Sequence, residues 1–145
     1  ERWNSYIAET GTFGDVSMNS FNHYAYGSIG QWLYRTVLGI QTGENADEAG
    51  YRKIFLTPSW GGTLTYAKGE QETPFGKIAS SWEKKDNSIV YHCTIPANTT
   101  AHLTLPASGH NSVQILEGAA ITDTAAVSGV ADFELVSGSY TFKIY

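Results

Sequence analysis

From residue 45 onward the sequence alternates between apolar and polar positions, and this period of two restricts the fold more than any other feature. In Ser88–Ile95 (SIVYHCTI), Ile89, Tyr91, Cys93 and Ile95 fall on one face of an extended chain, with His92 and Thr94 pointing away. A helix would scatter these residues around its circumference; a strand gathers the apolar ones against a core. Residues 77–84 (KIASSWEK) place Ile78, Ser80 and Trp82 on a common face, and Lys85-Asp86-Asn87 between the two segments is a hairpin signal. Residues 53–57 end at Pro58, Gly61-Gly62 marks a turn before residues 63–68, and Pro96-Ala97-Asn98 turns the chain into residues 99–105. With residues 113–116, 133–136 and 140–145 this makes about eight short strands, a spacing that predicts an antiparallel, jelly-roll-like β-sandwich and a mainly β protein.

The first 43 residues read differently. Residues 1–22 carry Gly11 and Gly14-Asp15 breaks without sustained periodicity, so they form either a long ordered loop or a short helix followed by one. Trp3, Tyr6, Phe13, Met18 and Phe21 argue for order. From Asn22 to Ile40, the residues Tyr26, Ile29, Leu33, Val37 and Ile40 recur at helical spacing, with Asn22 placed to cap the start and Gly43 to stop the helix. Gly27 and Gly30 each cost about 1 kcal/mol relative to Ala in a helix interior, which predicts close packing against another element. The chain opens Glu1-Arg2-Trp3-Asn4, with neither Met nor a signal-peptide pattern, and reads as a piece of a longer protein.

Composition removes several classes of function. A net charge of −5 with only 9 scattered Lys and Arg residues disfavours a nucleic-acid surface, and no apolar run approaches the length of a membrane span. Hydrophobic residues at 41% and aromatics at 13% are enough to build a core, so the chain is not disordered. The single cysteine, Cys93, excludes an internal disulfide and a multi-cysteine zinc site; on the apolar face of its strand it reads as a buried structural thiol. His92, His102 and His110 lack ligand spacing, which predicts no metal site. The Asn98-Thr99-Thr100 sequon reads as turn chemistry.

The N-terminal segment interleaves Glu1, Glu9, Asp15 and His23 with Trp3, Tyr6, Phe13, Tyr24 and Tyr26. Rings for stacking on a pyranose, amides and imidazole for its hydroxyls, and a carboxylate for proton transfer are the groups a sugar site requires. A buried aromatic loop uses the same residues.

The run from Met18 to Arg35, MNSFNHYAYGSIGQWLYR, resembles the C-terminal end of the catalytic domain of bacterial α-L-rhamnosidases, glycoside hydrolase family 78. Gly50-Tyr51-Arg52-Lys53-Ile54 with Pro58 and Leu64-Thr65-Tyr66-Ala67-Lys68 resembles the start of that family's C-terminal β-domain. Residues 74–82 and 95–101 resemble its next strands and turn, and the similarity loosens beyond about residue 106.

The resemblance implies that residues 1–43 are the end of an (α/α)6 barrel, with one helix left from it, and that residues 45–145 are a C-terminal β-sandwich. It implies an enzyme that removes terminal α-L-rhamnose from a rhamnose-containing glycoside or polysaccharide by inverting hydrolysis, without a cofactor. Glu1-Arg2-Trp3 matches a WERW-like motif whose glutamate is the general base. His23 matches a histidine that contacts the sugar, Asn22 is its neighbour, and Trp3 walls the pocket. Glu9, on the same loop, is the alternative base. The general acid lies upstream, so the isolated piece is expected to be inactive and to have the upstream barrel of the same polypeptide as its partner. Periplasmic, extracellular and cytoplasmic bacterial locations are all compatible with the resemblance. The competing readings are a non-catalytic carbohydrate-binding or structural sandwich, with Trp60, Tyr66 and Trp82 as a stacking platform, and a related glycosidase acting on a different sugar.

Overall fold

A computed structural model describes residues 4–17, 24–107, 112–118 and 129–145. The chain forms two compact units, residues 1–31 and 32–145. In the first, strands β1 (Tyr6–Ile7) and β2 (Thr12–Phe13) form a small antiparallel hairpin, and the chain later enters a helical segment at Tyr24.

The second unit is a two-sheet sandwich. Strands β3 (Ile40–Thr42), β4 (Lys53–Leu56), β8 (Thr100–Pro106) and β10 (Val130–Leu135) form one sheet in the order β10-β8-β4-β3. Strands β5 (Tyr66–Thr73), β6 (Gly76–Lys85), β7 (Ser88–Ile95), β9 (Val113–Glu117) and β11 (Gly138–Ile144) form the other, ordered β5-β6-β7-β11-β9. Pairing is antiparallel throughout, except that β4 lies parallel to β8. All eight strands read from the sequence are present, although β5 lies a few residues later than the TLTYAK segment suggests.

The core is the sum of the alternating faces. Ile78, Trp82, Ile89, Tyr91, Cys93, Ile95, Tyr140, Phe142 and Ile144 from the five-stranded sheet are buried in one cluster with Ile54, Leu56, Leu103, Leu105, Phe133 and Leu135 from the other. Trp82 sits opposite Tyr91, which sits opposite Phe142, and Phe142 reaches Phe133 of the facing sheet at 4.9 Å between ring centroids. Turn chemistry fixes the register: Asp86 takes φ 52° in the two-residue β6–β7 loop, and Asn98 takes φ 60° where Thr99 Oγ1 donates to the Pro96 carbonyl at 2.7 Å. Asn98 therefore does serve turn geometry.

The helix departs from its sequence reading at its end. Helical structure runs through a 3-10 turn (Tyr24–Tyr26), α1 (Gly27–Trp32) and a π-helical turn (Leu33–Val37), where Leu38 N–H reaches back five residues to the Leu33 carbonyl. It stops at Gly39, which takes φ 75°, and Ile40 begins a strand instead of ending the helix. The apolar stripe is also divided. Val37 and Leu38 are buried in the sandwich core, whereas Tyr26, Ile29 and Leu33 are exposed. Among the described residues no atom lies within 4 Å of the place a Cβ would occupy on Gly27 or Gly30, so none of them makes the close packing predicted there.

Candidate functional site

Within the first unit the aromatic loop is held by backbone and hydroxyl contacts. Gly11 N–H donates to the Ile7 carbonyl and Gly14 N–H to the Ser5 carbonyl, at 2.9 and 2.7 Å, closing the hairpin on both sides of β2. Asp15 accepts from both the N–H and the hydroxyl of Ser17, at 3.0 and 2.8 Å, an Asx-type turn that carries the chain onward. Tyr6 and Phe13 meet edge-to-face at 5.6 Å and remain half-exposed, and Tyr24 is 89% exposed. Glu9 stands exposed at the tip of the hairpin. The Ser5 hydroxyl is buried with no hydrogen-bond partner among the described residues. Exposed rings beside carboxylates are what a pyranose-binding rim needs. Glu1, Trp3, Asn22 and His23, the residues expected to act on the sugar, lie outside the described residues.

In the second unit, the helix end is bound to the sandwich through its last carbonyls. Such carbonyls have no partner within a helix and must find donors elsewhere. Trp82 Nε1–H donates to the Val37 carbonyl at 2.9 Å, joined by Ser59 N–H at 3.3 Å. The Ser80 hydroxyl donates to the Leu38 carbonyl at 2.7 Å, and its oxygen lies 3.2 Å from the Tyr91 hydroxyl. One hydroxyl has one proton to give, so Tyr91 donates to Ser80 and Ser80 to Leu38. Gly69 on β5 completes the seat, because a Cβ there would collide with the Leu38 side chain.

Beside this junction runs an apolar groove of 450 Å³, walled by Leu33, Tyr34 and Leu38 on one side and Leu64, Tyr66 and Ala67 on the other. Sequence reasoning did not assign this groove. Its signal was the spacing of Leu64 and Tyr66 on one face of their segment, opposite a helical stripe that continues past its own sheet contacts.

The stacking platform of the competing carbohydrate-binding reading is not formed. Trp82 is buried, Trp60 packs edge-to-face against it at 6.5 Å, and only Tyr66 is well exposed. Two groups of polar side chains on the outer sheet faces are held by one another. His102 bridges Glu134 at 2.7 Å and Asp132 at 3.4 Å, and Thr104 donates to Asp132. His92 Nδ1 lies 2.9 Å from the Thr141 hydroxyl, which donates to Glu117. Burial pushes the Cys93 thiol up to about 12, opposed by its contact with Tyr91, so the thiol is protonated and inert near neutral pH. Among the described residues no group of three or more His, Cys, Asp or Glu could hold a metal ion, and no helix is long and apolar enough to cross a membrane.

A β-sandwich closes onto the end of a helical segment, and comparison with known proteins finds matches to the stretches before and after that end. Residues 1–37 match the bacterial alpha-L-rhamnosidase 6 hairpin glycosidase domain, and residues 39–120 match the bacterial alpha-L-rhamnosidase C-terminal domain. The chain belongs to the bacterial α-L-rhamnosidase family. It is 40% identical to an α-L-rhamnosidase of Streptomyces avermitilis over 99% of its length, and 41% identical to one of Formosa agariphila over 79%. It spans only 13% and 12% of those proteins. The crystal structure of the S. avermitilis enzyme complexed with L-rhamnose superposes over 99% of this chain and 13% of its own, with a TM-score of 0.78 at 38% identity. The α-L-rhamnosidase of Dictyoglumus thermophilum superposes over 88% of this chain and 14% of its own, with a TM-score of 0.73 at 28% identity.

Proposed function

We propose that this chain is the C-terminal portion of a glycoside hydrolase that removes terminal α-L-rhamnose from rhamnosides with inversion, the end of the catalytic barrel occupying residues 1–43 and the β-sandwich residues 45–145. The observation that carries the reading is the succession of two family matches, glycosidase domain then C-terminal domain, meeting at the helix end that the sandwich grips.

In this reading Glu1 is the general base. Inversion requires two carboxyl groups about 6.5–9.5 Å apart, one protonated to release the leaving group and one ionised to take a proton from the attacking water. Glu1 supplies the ionised member, and the acid comes from the upstream barrel. His23 and Asn22 bond to the sugar hydroxyls and Trp3 walls the pocket. The exposed Tyr6, Phe13 and Tyr24 supply rings near such a rim, and Glu9, at the hairpin tip, is the alternative base.

The test uses the intact parent protein and an aryl α-L-rhamnoside. Glu1→Gln should lower kcat by about 100- to 10,000-fold, the usual contribution of a positioned base, and His23→Ala should chiefly raise KM. Full activity in Glu1→Gln with loss in Glu9→Gln would move the base to Glu9; full activity in both would sink the assignment. The 145-residue chain alone should hydrolyse nothing, and robust turnover by it would refute the division of the site.

A further inference from the structure

We propose that Tyr6 and Phe13 on the β1–β2 hairpin form the platform for the leaving group, and that the leaving group they select is a neutral, planar aromatic aglycone. This rests on the glycosidase reading above and names the substrate class on the aglycone side of that site.

The hairpin sorts its side chains by face. Tyr6 and Phe13 are register partners, as are Ile7 and Thr12, and alternation along each strand puts the two rings on one face and the second pair on the other. The rings meet edge-to-face, with centroids 5.6 Å apart and planes at 62°. Each braces the other, yet Tyr6 is 51% exposed and Phe13 44%. Such a pair forms a corner in which a third flat ring finds a face to stack on and an edge to abut.

The hydrogen-bonding groups beside the pair are turned to one another. The Thr10 hydroxyl donates to the Ile7 carbonyl at 3.4 Å and so accepts from Thr12 at 2.7 Å, while the Asp15 carboxylate is taken up by Ser17. Of the two side chains that the paired strands place on the ring face, only Tyr6 can hydrogen-bond, through its phenol. A second sugar in this position would need several polar partners to replace the water it gives up. A flat aromatic group needs apolar area instead, and the rings supply it. Glu9, the one charged residue between Tyr6 and Phe13, is exposed at the tip and repels an anionic aglycone.

The place of the hairpin in the chain suits the same task. Tyr6 follows Glu1 by five residues, so backbone geometry alone keeps their Cα atoms within about 18 Å. In an inverting enzyme the base works on the side of the sugar opposite the leaving group, the two carboxyl groups standing about 6.5–9.5 Å apart. A leaving-group platform therefore belongs beyond contact with the base and inside that reach.

The test compares two substrates of the intact parent protein. One is 4-methylumbelliferyl α-L-rhamnoside, whose leaving group is a flat fused aromatic; the other is α-L-rhamnosyl fluoride, whose leaving group is a single ion. Losing one ring of the platform in Tyr6→Ala or Phe13→Ala should lower the ratio of kcat/KM for the aryl substrate to kcat/KM for the fluoride about tenfold. Tyr6→Phe keeps the ring and should hold that ratio within about twofold. An unchanged ratio in the alanine variants, whether through no loss or through equal loss on both substrates, would overturn the proposal. So would a fall in Tyr6→Phe as large as in Tyr6→Ala, because it would give the selection to the phenol hydroxyl. The unmodified parent separates this proposal from the function it rests on: turnover of neither substrate removes both, while turnover of both with a ratio that no variant moves keeps the function and removes the platform alone.

Discussion

Removing the Ser80 hydroxyl tests how the helix end is held. The Ser80→Ala change leaves the Leu38 carbonyl, on a buried residue, without its side-chain donor, and leaves Tyr91 without the acceptor 3.2 Å away. A buried polar group left unpaired costs about 1–3 kcal/mol. Tyr91 keeps its contact with the Cys93 thiol, so the carbonyl accounts for most of the loss, and about 1.5–3 kcal/mol is expected in total. At about 4 °C per kcal/mol for a chain of this length, Tm should fall by about 6–12 °C. Urea unfolding followed by tryptophan fluorescence should show a lower midpoint with an unchanged slope. Ser81→Ala, one residue along β6 and on the opposite face, should stay within about 0.5 kcal/mol of the parent. A double-mutant cycle with Tyr91→Phe should give a coupling of about 0.5 kcal/mol or more, since the two hydroxyls share one relay. If Ser80→Ala costs no more than Ser81→Ala, the relay does not hold the helix end.

Two further outcomes follow from the same core. The folded Cys93 thiol is pushed by burial to about 12 from an ordinary 9, and Tyr91 is raised well above its ordinary value by burial and by its Cys93 neighbour. Raised folded values mean that the unfolded chain loses protons first, so stability is intact below pH 9 and declines as pH rises from 9 toward 12. A Cys93→Ala variant should show a shallower decline across that window in pH-dependent urea titrations; an identical decline would place the alkaline sensitivity elsewhere. Gly69→Ala drives a Cβ into Leu38 and should cost about 1–3 kcal/mol, as overpacking does. An unchanged unfolding midpoint would show that Leu38 can move aside freely.

The sandwich was legible because each strand states its inward face locally. Ile89, Tyr91, Cys93 and Ile95 are all buried, as their alternation requires, and Trp82 points inward with Ile78 and Ser80. Strand order is not written in that local period, so the parallel β4–β8 pair emerges only in three dimensions. Strand β3 was hidden for a different reason: Ile40 continues the helical spacing from Val37, while Gly39 between them turns the backbone into the left-handed region. The carbohydrate platform failed because Trp60 and Trp82 serve the core, which indole can do while its N–H finds the Val37 carbonyl. The residues proposed for the sugar site rest on the sequence pattern around Glu1 and Asn22-His23.

The central claim is that this chain completes an inverting rhamnosidase, and the anomer of the first product tests it most directly. Proton NMR of the intact parent protein acting on an aryl α-L-rhamnoside should show β-L-rhamnose accumulating first, with the α anomer growing in only by mutarotation. Initial release of α-L-rhamnose, or no release at all, would contradict the account.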